Sequence, residues 1–386
     1  MGVDNIARKI KKMYVGVDGI ARKVKKGYVG VNGVARLFFS GEKKLVYVSG
    51  APALSYAREF IGAASNGRHM MFMAGSTYGR GDVYDENLTA TVVGNVGGNK
   101  GARSNLSGAS NGQHMLFGCG YEYTDGEYKA VPDVVSFDKN LTQAYVTDLT
   151  FSRTRSAATS NGKHMIFAGG NTYDANGSST NAANAYDANL TRTAITSLSQ
   201  SRNSLTAASN RIHMLFAGGN SGNASSTSYN AVDAYDDNLT RTTPTVLSVA
   251  RGRLAAACNG NHILVGGGRT SSAWSSKVDG YDKNLTRITV TSLSQGRSEL
   301  SATSNGEHII FAGGIPSNTN NAQSNIVNCY DKNLTRTNAT KLSVGRQNLA
   351  ATSNGDYMII AGGYGVKDSG AVGTLATVDV YRSVEE

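Results

Sequence analysis

Two residue types recur in this chain at intervals that invite a chemical reading. Arginine stands at one repeated position, as Arg58, Arg103, Arg153, Arg202, Arg251, Arg297 and Arg346. A circle of guanidinium groups suits a carboxylate or phosphate, because each planar fork donates two parallel hydrogen bonds to either anion. The competing reading is a scaffold one, in which each arginine pairs with a nearby aspartate or carbonyl and holds neighbouring units together. Its presence in all seven copies is what a scaffold role predicts. All six histidines, His69, His114, His164, His213, His262 and His308, occupy a second repeated position, with Tyr357 in the seventh copy. A metal centre needs several imidazoles within about 2 Å of one ion. Packed sheets stand roughly 10 Å apart, so equivalent histidines would ring an axis without converging on it. No metal or cofactor is expected, and these rings read as packing or hydrogen-bonding groups.

Other catalytic patterns are missing. With every histidine on one structural ring no Ser/His/Asp arrangement can form, and no G-x-S-x-G or phosphate-binding loop occurs. Cys119, Cys258 and Cys329 fall at three different repeat positions, which is no disulfide framework.

The element that positions both rings is one repeated sentence. SNGKHMIFAGG (160–170) returns as SNGRHMMFMAG (65–75), SNGQHMLFGCG (110–120), SNRIHMLFAGG (209–219), CNGNHILVGGG (258–268), SNGEHIIFAGG (304–314) and SNGDYMIIAGG (353–363). Each arginine lies seven residues before the SNG position, followed by a run of small apolar residues. An Asn-Gly turn, an apolar run ending in glycines, a variable loop, a tyrosine-aspartate strand, a tight turn and a Thr-rich strand complete the unit. That is four strands per copy, and a period of this kind marks a repeat architecture. The third and fourth strands meet at YDENLT (84–89), FDKNLT (137–142), YDANLT (186–191), YDDNLT (235–240), YDKNLT (281–286) and YDKNLT (330–335). These contain N-x-T sequons, but their repeat-locked position reads as Asx turn chemistry. The seventh copy ends at VDVYRSVEE (378–386) without a fourth strand, while KKLVYVSGAPALSYAR ahead of the first copy matches one. The two ends complete each other, which favours a closed ring over an open solenoid.

Residues 2–41 form a different array, GVDNIARKIKKMYV, GVDGIARKVKKGYV and GVNGVARLFFSG. Asp-Gly and Asn-Gly between alternating runs are strong hairpin signals, so a small β-meander is expected. Nine Lys/Arg against two Asp in residues 1–41 hold seven of the ten net positive charges. The basicity is thus a property of this module, and nucleic-acid binding by the remainder is not expected. No apolar run suggests a secretory signal or a bilayer span, so membrane insertion is not expected either. An isolated ribbon of this size is marginal in water, which predicts that it packs on a partner protein or on sister subunits, giving a possible homo-oligomer.

The paired glycines, the V-x-x-Y-D strand and the arginine opening the next unit resemble kelch repeats over residues 42–386. That resemblance implies an all-β fold, a seven-bladed kelch-like β-propeller closed by an N-terminal strand at about 44–55 and preceded by a small β-hairpin module. It also implies ligand binding on the face that carries the loops between second and third strands. The basic array of residues 1–41 is similar to short repeats of phage tail and structural proteins of Gram-positive bacteria. This implies an attachment module whose partners are other phage structural proteins, and localisation in the virion.

Between near-invariant flanks, the loops at 75–82, 120–132, 170–184, 219–231, 268–277, 314–326 and 363–377 differ in length and content. They carry Tyr78, Arg80, Tyr121, Tyr123, Tyr173, Tyr229, Arg269, Trp274 and Tyr364 amid Ser, Asn and Gly. Aromatics among small polar residues make adaptable binding surfaces, whereas unconstrained loops also drift. The expectation is a non-enzymatic phage tail component whose loop face binds a host-surface ligand, a glycan or a protein, with glycan preferred. Alternatives are a purely structural decoration protein and a carbohydrate-active enzyme of the sugar mutarotase type, which would need loop acids such as Glu122 or Asp174.

Overall fold

The structure is a computed structural model. It describes residues 43–76, 79–96, 102–124, 127–172, 177–222, 227–316, 323–367 and 369–385, and before them the backbone of six short strands. The chain is all-β, and among the described residues seven sheets have four antiparallel strands each, a β-propeller-like design. The third sheet shows the plan. Ala157–Ser160 pairs with Met165–Ala168, that strand with Ala183–Tyr186, and the last with Arg192–Ile195.

Burial explains the composition of each strand. The second strand, MIFA here, is buried at every residue because it meets neighbouring sheets on both faces, and a continuous apolar run answers that. No residue of the fourth strand is buried, so a Thr-rich sequence is tolerated. The first strand is built from Gly, Ala, Ser and Thr, with one Cys at Cys258, because its neighbours crowd it. A Cβ placed on Gly108 would lie 2.5 Å from the Ala63 carbonyl oxygen of the preceding first strand. Phe167 and Tyr186 meet edge to face with centroids 6.0 Å apart, and the pair recurs as Phe72/Tyr84, Phe216/Tyr235 and Phe311/Tyr330.

Each first strand lies against the first strand of the next sheet, and the seventh, Ala350–Ser353, lies against the first, Gly62–Ser65. All seven line a common cavity of about 300 Å³. None of the histidines is on that lining. They stand just ahead of the second strands instead, one step out from the axis.

The seventh sheet joins the two ends of the chain. Lys43–Val48 pairs with Val378–Glu385, in register from Val380↔Val48 to Glu385↔Lys43. Tyr47 Oη donates to Asp379 Oδ1 at 2.9 Å across that seam. The strand ends at Val48, so the expected span to about residue 55 is too long.

The sequence-read turns have specific geometry. Asn161 Oδ1 accepts from the His164 N–H at 2.8 Å, and Ser160 Oγ from the Gly162 N–H at 3.0 Å. At YDANLT, Asp187 Oδ1 accepts from the N–H groups of Asn189 and Thr191, both at 2.9 Å. In the N-terminal array Met13–Val17 pairs with Ile20–Val24, and Lys26–Val31 with Val34–Ser40, either side of Asp18-Gly19 and Asn32-Gly33. These are separate two-stranded sheets, so the expected meander is not formed among the described residues. The lysine and arginine side chains of residues 1–41 lie outside the described residues.

Candidate functional site

The arginines and the variable loops share one end of the sheets. Just past each arginine, the backbone pairs with the segment that follows the paired glycines. Arg103 pairs with Glu122 and Arg346 with Gly365, and bridges join Thr154 to Asn171, Asn203 to Asn220, Gly252 to Arg269 and Ser298 to Ile315.

The arginine side chains face inward. All seven are fully buried. In the fourth sheet Arg202 Nη2 donates to the Phe216 carbonyl at 3.3 Å and to Asp233 Oδ2 at 2.7 Å. That carboxylate also accepts from the Ser199 N–H and Oγ at 3.0 Å, so a third-strand aspartate ties the segment before the arginine to the arginine itself. The arrangement repeats with Arg58/Asp82, Arg251/Asp279 and Arg346/Asp379. In the third and sixth sheets an asparagine takes the place of the carboxylate, with Arg153 and Arg297 each 3.0 Å from Asn184 Oδ1 and Asn328 Oδ1. Without a buried anion to offset desolvation, Arg297 is pushed down to about 10. In the second sheet Val135 takes that place in the strand, and Arg103 donates to the carbonyls of Cys119 and Asp133. These guanidiniums are committed within the fold, which leaves the scaffold reading standing and removes them as an open anion-binding circle.

The carbonyl of each arginine locks the adjoining sheet. Gly170 N–H donates to Arg202 O at 2.9 Å, the same bond recurs between successive units, and Gly363 N–H donates to Arg58 O at 2.8 Å. The paired glycines serve this contact. A Cβ on Gly169 would stand 2.7 Å from Arg202 O, and one on Gly170 2.7 Å from Thr154 O, both at positive φ.

Two residues beyond each arginine the backbone turns left-handed at a residue that is never glycine. Phe60, Asn105, Arg155, Ser204, Arg253, Glu299 and Asn348 all have φ between 51° and 56°. Six backbone hydrogen bonds of 2.9–3.2 Å link neighbouring members, among them Ser204 N–H to Arg155 O and Phe60 N–H to Asn348 O. The result is a collar directly above the cavity, whose upper lining starts with Ile61, Leu106, Ser156, Leu205, Leu254, Leu300 and Leu349 region residues. Side chains meet across it. Arg253 Nη1 reaches Glu299 Oε1 at 2.7 Å, and Asn348 Nδ2 donates to Glu59 Oε2 at 2.8 Å. Burial pushes the Glu59 carboxyl up, and the charge of Glu299 adds to this. Sequence reading passed over these residues, although a divergent column between an invariant arginine and an apolar position was visible in the aligned copies.

The loop residues singled out from sequence are placed unevenly. Arg80 is exposed where it opens the strand Arg80–Tyr84, and its carbonyl accepts from Arg58 Nη1 at 2.7 Å. Tyr121 and Tyr123 lie on a strand, Tyr121–Thr124, that pairs with Glu127–Ala130, so the loop at 120–132 carries its own hairpin. Tyr128 from the return strand sits 5.1 Å from the Tyr121 ring and 4.9 Å from Tyr123, centroid to centroid. Tyr123 and Tyr128 are each more than half exposed. Tyr364 starts a second hairpin, Tyr364–Val366 with Val372–Thr374, and is half-buried. Arg269 stacks 4.9 Å above the half-buried Trp274 ring, and Tyr229 is half-buried in the neighbouring loop. Tyr78, Tyr173 and Asp174 lie outside the described residues. Glu122 is buried opposite Arg103, which is no place for a solvent-facing catalytic acid.

Of the histidines, His69, His164 and His308 are held below the ordinary imidazole value, chiefly by burial. His308 Nδ1 is 2.7 Å from Ser383 Oγ of the adjoining sheet, a packing and hydrogen-bonding role. Among the described residues no group of three or more His, Cys, Asp or Glu could hold a metal ion. No protein-family model matches the chain, and no curated protein matches it.

Proposed function

We propose that residues 42–386 are a seven-bladed kelch-like propeller closed by the strand Lys43–Val48, and that the protein is a non-enzymatic component of a phage tail or related particle. In this reading residues 1–41 attach it to other structural proteins of the particle, and the loop face of the propeller binds a glycan on the host surface. The observation that carries the binding role is the contrast within each unit. Arginine, paired glycines and the tyrosine-aspartate strand barely vary, while the collar above them uses five residue types in seven copies and the loops differ throughout and present exposed aromatics such as Tyr123 and Tyr128. Aromatic rings with Ser, Asn and Gly around them supply contact area and hydrogen bonds at low entropic cost. The attachment role rests on the basic repeat of residues 1–41 and on the marginal stability of lone two-stranded ribbons.

The test is a glycan array and a host-cell binding assay with the full chain. Binding that weakens on Trp274→Ala or on Tyr123→Ala with Tyr128→Ala supports the reading. Absence of binding, with release from particles still caused by deleting residues 1–41, would assign the protein to decoration instead.

A further inference from the structure

Left-handed backbone recurs at the paired-glycine positions, where the close backbone contacts described above account for it, and at three further repeated positions, which the chain treats differently. At the SNG turn six of seven copies use glycine, the residue that adopts positive φ without steric cost, and only Arg211 (φ 72°) departs. At the NLT turn all six copies keep leucine, Leu88, Leu141, Leu190, Leu239, Leu285 and Leu334, at φ 61–63°. Packing accounts for that choice, since these side chains lie in or against the apolar clusters between sheets. The collar follows neither rule. Its seven residues are never glycine, are not kept constant, and are exposed or half-buried. Side chains retained against backbone strain, without a packing reason, mark a functional surface.

We propose that the collar is the recognition site for an acidic sugar of the host glycan, one bearing a carboxylate or phosphate group. This rests on the glycan-binding reading above and names the chemistry within it. Arg155 is exposed, and its guanidinium has no hydrogen-bond or ion-pair partner among the described residues. It sits beside Ser204, with Arg253 one place further on, so one side of the mouth offers a free fork for an oxyanion. Asn105, Ser204 and Asn348 supply hydroxyl partners and Phe60 an apolar face. Arg253 is paired with Glu299, and Glu59 accepts from Asn348 Nδ2, so Arg155 is the uncommitted charge of the collar among the described residues. The cavity beneath is lined at its mouth by Ile61, Leu106, Leu205, Leu254, Leu300 and Leu349 and below them by small residues of the first strands, so the ligand enters as a terminal group.

Binding is measured by titrating the full chain with glycans carrying carboxylate or phosphate and with their carboxyl-reduced or dephosphorylated counterparts. The two anionic arms identify which group is read. Arg155→Gly is the decisive variant, because glycine relieves the left-handed backbone while removing the guanidinium. It is expected to leave the melting temperature unchanged or raised, to weaken acidic glycans at least tenfold and to leave neutral ones unaffected. Ser204→Tyr, which blocks the mouth, is expected to weaken both. If Trp274→Ala abolishes binding while both collar variants bind like wild type, the collar assignment is overturned and the loop-face reading survives. If the wild type binds no glycan, both are overturned.

Discussion

Arg153 and Arg155 stand two residues apart and have opposite fates. Arg153 is fully buried and donates to the carbonyls of Phe167 and Ala182 and to Asn184, whereas Arg155 is exposed on a left-handed residue with no side-chain partner among the described residues. The first belongs to a ring kept in all seven units, the second to a ring that differs in almost every one. Repetition in this chain marks what holds the sheets together, and departure from repetition marks what faces outward. Chemical type alone does not separate the two.

Removing a member of the inner ring should cost most. Arg202→Met takes from the buried Asp233 carboxylate its buried partner, leaving it Ser199 and the partly exposed Arg241, and is expected to lower unfolding free energy by about 3 kcal/mol, read from chemical denaturation. Adding Asp233→Leu should restore much of it, since an apolar pair replaces a buried ion pair at little net loss. The left-handed positions test the comparison next. Leu285→Gly removes a nearly buried side chain and should cost about 2–4 kcal/mol in spite of the relieved backbone. Arg211→Gly restores the residue used at the other SNG turns and should stabilise by up to about 1 kcal/mol. The last effect is a pH slope. His69, His164 and His308 have folded-state values below those of the unfolded chain, so the unfolded chain binds more protons as pH falls past about 6.5. Their contribution is fully present above that pH and is lost on acidification through the folded values. Denaturation midpoints should therefore fall between neutral pH and pH 5, and His308→Asn should flatten the slope.

The sequence carried the repeat, the Asx chemistry of both turns and the complementarity of the chain ends, because each depends on local residue identity or on a period. Lys43–Val48 beside Val378–Glu385 is legible as the fourth strand that the seventh copy lacks, supplied from ahead of the first copy. Burial of the arginines could be weighed but not decided, since Arg202 and Arg155 look alike until the positions of Asp233 and the cavity are known. The hairpins inside the loops at Tyr121–Ala130 and Tyr364–Thr374 escaped notice because their strands extend the pairing begun beside Arg103 and Arg346, a tertiary effect. Left-handed φ at Phe60, Arg155 or Leu88 has no signature in residue type, as only glycine and, weakly, asparagine advertise it.

The most direct measurement sets the two neighbouring arginines against each other. Full-length Arg153→Met and Arg155→Gly proteins are compared with wild type by denaturation midpoint and by titration with an acidic glycan. The account predicts that Arg153→Met loses stability but binds normally per folded molecule, and that Arg155→Gly keeps its stability and loses binding at least tenfold. The reverse pattern, or equal binding by both variants, would contradict it.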